Sequence, residues 1–237
     1  MHPTSTRVSG SISPSPGELD RRYRSLLILV ASIWVLGLIG HLTPLSQWPA
    51  LVLYVVGGLV LTLLHCRREQ AWIAVGVSRL NLRRAVIWGL VIGGGLMLMH
   101  WINAWFYQHG DNPQMAEMET MLSNRRLLLL FPLLVLAEEF VWRAMALSAL
   151  RDRGWNIHLA VIVTTLAYSL NHFAVAPVGM MERGMMAMMA IPIGILGGYL
   201  AWKLRSVWIA VIIHMLMFLS MVGALFIGPA LQGTGVS

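Results

Sequence analysis

Long apolar runs alternate with short, basic loops along almost the whole chain. Several runs approach the ~20 residues that a helix needs to cross a hydrocarbon core of ~30 Å. Seven spans are the simplest reading, at residues 25–42, 49–65, 85–107, 127–150, 157–177, 184–203 and 206–228, within a range of six to eight. The predicted fold class is all-α, a polytopic membrane bundle of about seven transmembrane helices. The polar stretch SGSISPSPGELDRRYR ends a segment, residues 1–24, that reads as a flexible cytoplasmic tail. Residues 25–237 then form a single transmembrane domain, with neither an internal repeat nor a separate soluble domain. The first apolar run has no convincing small-residue cleavage site and reads as a retained anchor.

Composition sharpens this picture. The 237 residues are 57% hydrophobic and only 11% charged, against about 25% charged in soluble domains. A net charge of +7 raises the question of a nucleic-acid partner, and the distribution of the charge answers it. With the N-terminus inside, the inner segments hold Arg7, Arg21, Arg22, Arg24, Arg67, Arg68, Arg79, Arg83, Arg84, Arg151, Arg153, Lys203 and Arg205, whereas the outer ones hold only Arg125, Arg126 and Arg183. That asymmetry is the positive-inside pattern. It predicts N-in and C-out, with the lipid bilayer rather than nucleic acid as the partner. Cys66 is the only cysteine, so no intramolecular disulfide forms. It reads as a small apolar residue ahead of the alternative, an acylation site at a helix end.

Three stretches outside or at the edge of the spans stand apart. Residues 112–122 begin with Asn112 as an N-cap and Pro113 at the first helical position, and place Met115, Met118 and Leu122 on one face. They form a short helix on the outer surface or an ordinary loop. Residues 72–80, WIAVGVSRL, are read as lying along the inner surface. The run MMERGMMAMMA is lipid-facing filler ahead of an adaptable binding surface.

The fourth span breaks the apolar pattern. LLLLFPLLVL runs directly into AEEFVWRA, residues 137–144. On the insertion scale a charge at a span's centre costs ~2.5–3.5 kcal/mol and each Leu-like residue returns ~0.3–0.6. Three charges therefore cost about 8–10 kcal/mol, against about 3–6 from eleven apolar neighbours. Pairing inside the folded protein has to supply relief. Glu139 and Arg143 are four apart with the acid N-terminal, the better order for a helical ion pair. Glu138 points about 100° away, and the residue four beyond it is Trp142. An ionisable group left over inside a membrane is a functional hypothesis by default.

Glu138 needs a partner from another helix, and two histidines are available. His172 lies in the fifth span and His214 in the seventh. At ~1.5 Å per residue, Glu138, His172 and His214 lie about 20, 24 and 14 Å from the inner boundary, and ordinary helix tilts of ~20° allow them to converge. His100 and Asn103 share a face of the third span without a firm link to this group.

These residues carry a resemblance. EEFVWR fits the EExxxR motif of the CPBP membrane proteins, the CAAX-protease and bacteriocin-processing family also called Abi. YSLNH fits the family's second motif, an aromatic followed by xxxH, with tyrosine where phenylalanine is usual. GILGGYLAWKLRSVWIAVIIH resembles the third region, a glycine-rich helix, a basic turn and a helix carrying histidine. The resemblance covers residues 127–220, the expected catalytic core. It implies an intramembrane endopeptidase acting on a membrane-associated protein or peptide, in a bacterial inner membrane. By motif, Glu138 corresponds to the glutamate that activates water, His172 to its partner and His214 to the histidine that stabilises the tetrahedral intermediate. Glu139 and Arg143 take the supporting places.

One position departs from the family. A polar residue, usually asparagine, is expected four after the last histidine, and Phe218 stands there. Losing one oxyanion donor typically costs ~2.7–4 kcal/mol in the barrier, and Asn103 and Asn171 are the substitutes considered. No cofactor is expected. The minority alternative is zinc held by Glu138, His172 and His214, since one glutamate and two histidines form a known catalytic set, here without the HExxH spacing. The non-enzymatic alternatives are a membrane scaffold or self-immunity protein of the same fold and, ranked last, an ion or proton transporter using the same buried groups.

Overall fold

The computed structural model describes residues 16–44, 46–69, 72–110, 115–123 and 125–231. They form eight helical segments: α1 (Pro16–Gly40), α2 (residues 48–69), α3 (Leu82–Gln108), α4 (Ala116–Ser123), α5 (residues 125–152), α6 (Ile157–Val175), α7 (Met180–Leu204) and α8 (Trp208–Leu231). α2 and α5 are continuous helices that widen into π-helical turns at Leu53–Gly57 and Phe140–Leu147. No strand is present among the described residues. The protein is a polytopic helical bundle, as the apolar pattern predicts.

Five helices, Gly17–Gly40, Trp48–Arg67, Leu82–Gln108, Ile157–Val175 and Met180–Leu204, are long and apolar enough to cross a membrane, and Trp208–Ala224 is a shorter apolar helix. The remaining expected span, 127–150, lies within α5, whose apolar run is interrupted by Glu138, Glu139 and Arg143.

Burial separates α5 from the others. It touches α1, α2, α6, α7 and α8, and every side chain from Phe140 to Leu147 is buried. By contrast, α3 exposes Val86, Trp88, Leu90, Val91, Leu98 and Trp105. The most polar span is thus the most enclosed one, which is where charges in a membrane protein belong.

Close helix approach builds this enclosure, and glycine permits it. A Cβ at Gly194 would lie 2.5 Å from Thr165 Cγ2, and one at Gly198 would lie 3.2 Å from Val161. A Cβ at Gly93 would lie 2.7 Å from Leu216 Cδ1. Small residues four apart let membrane helices pack backbone to backbone, and here they bring α7 onto α6 and α3 onto α8.

Several details refine the expectations. α1 begins at Pro16, so residues 16–24 of the segment read as a flexible tail are helical, while residues 1–15 lie outside the described residues. A reason for this order is visible at the basic end of the bundle. Arg22 bonds Asp152, Asp20 pairs with Arg153 at 2.5 Å, and the Arg153 guanidinium lies 4.0 Å from the Tyr23 ring centre. Asn112 and Pro113, the expected cap and first turn, also lie outside the described residues. The helix itself is present as α4, with Ala116, Glu117, Glu119 and Thr120 exposed and the expected apolar face turned inward, Met118 and Leu122 clustering with Phe131, Val135 and Phe218.

Residues 72–80 form turns, not a surface helix. Gly76 adopts φ +74°, its carbonyl accepts from Val207 N–H at 2.8 Å, and Val75 and Val77 are buried. Cys66 is fully buried in the same apolar cluster as Val75, Val77 and Phe140, which supports its reading as a small apolar residue.

The glycine packing yields a paired expectation. Gly194→Ala should lower stability by about 1–3 kcal/mol through overpacking. Gly184→Ala, on the same helix with nothing within 4 Å of its Cβ position, should raise it by about 0.5–1 kcal/mol. Unfolding of both variants in mixed detergent micelles checks this, and equal midpoints would show that the α6–α7 approach is not tight.

Candidate active site

The two glutamates of α5 diverge, as helix geometry requires, yet both reach one imidazole. Glu139 Oε2 lies 3.1 Å from Arg143 Nε, the ion pair expected from the four-residue spacing. Its other oxygen, Oε1, lies 2.8 Å from His214 Nδ1. A carboxylate only accepts, so Nδ1 carries the proton and donates to Glu139. In the neutral ring that leaves Nε2 as an acceptor. Nε2 faces Glu138, with Oε2 at 3.5 Å. His214 therefore stands between the glutamates, fixed by one and turned toward the other.

Arg143 is held by more than this pair. Its Cζ lies 4.5 Å from the centre of the Tyr168 ring, an arrangement in which the π-face attracts the cation. Its terminal nitrogens have no hydrogen-bond partner, so the ring face is the visible compensation for that end of the guanidinium.

His172 is placed differently. Its Nδ1 lies 3.0 Å from the Tyr168 carbonyl, one turn back on α6. A carbonyl only accepts, which makes Nδ1 the donor and leaves Nε2 as the acceptor. His172 and Glu138 line the same two cavities. The first, about 70 Å³, is bounded also by Phe131, Tyr168, Met186, Met189, His214 and Phe218. A water needs about 10–15 Å³ of such space and two to four polar partners, so there is room for water beside the carboxylate. The second, about 210 Å³, shares Phe131, Leu134, Glu138, His172 and Met186 and extends to Trp48, Val52, Val56 and Leu130. Those four are exposed on the outside of the bundle, so an almost wholly apolar passage leads from the lipid-facing surface to Glu138. Met186 and Met189, within the run read as filler, face this space, while Met180, Met181 and Met188 are exposed.

The convergence expected from depth counting is present for Glu138 and His214, and His172 joins them at the cavity. Tyr168, the motif tyrosine standing where phenylalanine is usual, brings a hydroxyl to which the sequence reading assigns no role. Its hydroxyl lies 3.2 Å from His214 Nε2 and 3.5 Å from Glu138 Oε2, and it is fully buried. The signal was available: it lies one turn, ~6 Å, below His172, between the depths counted for Glu138 and His214.

The residues considered for the missing donor sit elsewhere. Asn103 is exposed on α3. Asn171 is buried, accepts from Trp34 Nε1 at 3.0 Å through Oδ1, and lines neither cavity. Phe218 does line the first cavity, stacked on Phe131 with ring centres 4.4 Å apart. Among the described residues no group of three or more His, Cys, Asp or Glu side chains is arranged to hold a metal ion.

Residues 122–219 match the family model of the Type II CAAX prenyl endopeptidase Rce1-like proteins. The match agrees with the resemblance to the CPBP proteins that the sequence motifs carry. The matched segment contains every polar group of the site just described, from Glu138 to His214, and begins within α4. No curated protein and no solved structure was found similar to the chain. The matched model describes endopeptidases, and the helices of this chain agree with an integral membrane protein.

The buried pair gives a stability expectation. Arg143→Ala leaves the Glu139 carboxylate without its cation and should cost about 3–5 kcal/mol. Adding Glu139→Gln to it should return part of that loss. Detergent unfolding of the single and double variants measures both, and an unchanged midpoint for Arg143→Ala would mean that the pair carries no structural weight.

Proposed function

We propose that the protein is an intramembrane endopeptidase of the glutamic type, hydrolysing a peptide bond in a membrane-associated substrate. The observation that carries the reading is the placement of Glu138. It is a buried carboxylate 3.5 Å from His214 Nε2, at the meeting point of a water-sized cavity and an apolar passage open to lipid. A substrate's apolar part, a lipid-modified or membrane-embedded segment, fills the passage and brings a carbonyl to the carboxylate. The N-terminus is cytoplasmic in this reading.

Glu138 takes a proton from a water held between it and His172, whose Nε2 lone pair accepts the water's other proton as a hydrogen bond. The water oxygen bonds to the carbonyl carbon, and the carbonyl electrons move onto its oxygen. His214, already donating from Nδ1 to Glu139, holds a second proton at Nε2 in its charged form and keeps it while hydrogen-bonding to that oxygen. As the C–N bond breaks, Glu138 returns its proton to the leaving amine. Such general acid–base transfer contributes about 10²–10⁴-fold.

Glu138→Gln and His172→Ala proteins should fold and leave the substrate uncut. Comparing membrane proteomes from cells carrying the wild-type and Glu138→Gln chains should show the uncut form of at least one protein accumulating with the variant. Cleavage should persist in a chelator. Full activity of either variant would remove the proposal, and inhibition by chelator, reversed by added zinc, would replace it with the metal reading. A chain that cleaves nothing in any background would favour the scaffold reading, for which Phe218 in the cavity wall is the specific support.

A further inference from the structure

We propose that the Tyr168 hydroxyl is the second oxyanion donor of this site, taking over the work of the polar side chain that Phe218 displaces. The inference rests on the hydrolase reading above and adds a catalytic residue to it.

The geometry comes first. Tyr168 O–H stands 3.2 Å from His214 Nε2 and 3.5 Å from Glu138 Oε2, so it touches both groups between which the reacting carbonyl must lie. It lines the first cavity. The ring is gripped from several sides. Arg143 lies over one face, and the His172 and His214 rings meet it edge-on with centres 5.0 and 5.9 Å away. A donor fixed in this way needs no reorganisation when charge develops, which is what makes an oxyanion contact effective in a low-dielectric site.

Elimination comes second. Phe218, Met217 and Met221, the last turn of the cavity wall on α8, offer no hydrogen to donate. Among the cavity's lining residues the side chains with a polar hydrogen available are Tyr168, His172 and His214. His172 already donates from Nδ1 to the backbone and serves the water, so His214 and Tyr168 remain for the oxyanion.

At rest the phenol donates to Glu138 Oε2, because Nε2 of the charged His214 carries its own proton. When water attacks and its proton passes to Glu138, the carbonyl oxygen becomes negative, and the tyrosine O–H turns onto it beside His214 Nε2–H. The phenol keeps its proton throughout. When the C–N bond breaks, the new carboxyl group forms and the hydroxyl returns to its resting partner. The exchange of chemistry between two positions, a hydroxyl gained at 168 and an amide absent at 218, keeps the donor count of the site unchanged.

The test uses the full-length protein in detergent micelles and an internally quenched, farnesylated CAAX peptide as the probe. Tyr168→Phe should lower kcat on the order of 10²-fold with KM nearly unchanged. Adding Phe218→Asn to Tyr168→Phe should restore at least part of the lost kcat. Unfolding midpoints of all variants exclude loss of fold as the cause. Replacing Tyr168 by 3,5-difluorotyrosine, which keeps the ring in place but acidifies the phenol, should move the alkaline limb of the kcat–pH profile to lower pH. A Tyr168→Phe protein that turns over as fast as wild type, or one that differs only in KM, overturns the inference while leaving the hydrolase reading standing. An unmoved pH profile for the fluorinated protein also overturns it. A wild-type protein that leaves the probe whole takes both down.

Discussion

Everything in this bundle depends on how one carboxylate is compensated. Glu139 is fully buried in the central helix, a place where an isolated ionised group costs far more than any single contact returns. It is met from two directions, by Arg143 one turn along the same helix and by His214 from α8. The first contact neutralises the helix's own charge. The second ties two helices together and decides which nitrogen of His214 holds the proton. Because Glu139 takes Arg143 and the Nδ1 side of His214, Glu138 is left facing the cavity with His214 Nε2 and the Tyr168 hydroxyl as its polar neighbours, each at 3.5 Å. In the proposed mechanism, structure and reactivity are thus divided between adjacent residues about 100° apart on one helix.

That division was readable in the chain. The four-residue spacing of Glu139 and Arg143 predicts their pair, and the step from 139 to 138 predicts a second face. The apolar runs predict the helices because no other structure satisfies backbone groups in lipid except a closed barrel. Depth counting along each span placed Glu138, His172 and His214 at comparable levels. What it did not resolve was rotation. A count along the axis cannot tell which side of α6 meets α5, and so it gives His172 a role and none to the hydroxyl of Tyr168, which reaches Glu138 Oε2 at 3.5 Å. The same blindness applies to residues 72–80, where alternating apolar residues resembled a surface helix but Gly76 at positive φ folds them into turns against Val207.

The tight crossings explain why side chains from three helices meet at all. Gly194 and Gly198 let α7 close onto α6, and Gly93 lets α3 close onto α8. α6 and α8 then flank α5 from two sides, and their polar residues face it across a few ångströms. Gly58 of α2 also packs tightly on α5, where a Cβ would lie 2.7 Å from Val141 Cγ2, and the remaining opening lies beside the start of α2, at Trp48, Val52 and Val56, where the apolar passage runs out to lipid. A protease acting within a membrane needs this asymmetry: a polar, water-holding end next to the base and an apolar end through which the substrate arrives.

The claim that Glu138 faces water while the outer face of its helix faces lipid is open to direct chemical measurement. In a Cys66→Ala background in native membranes, Glu138→Cys and Leu133→Cys proteins are treated with a small charged methanethiosulfonate reagent, Leu133 being 46% exposed on the outer surface of α5. The structure predicts modification at position 138, through the cavity, and protection at position 133, which lies against lipid. Modification at 133 with protection at 138 would place the carboxylate away from water and contradict the account.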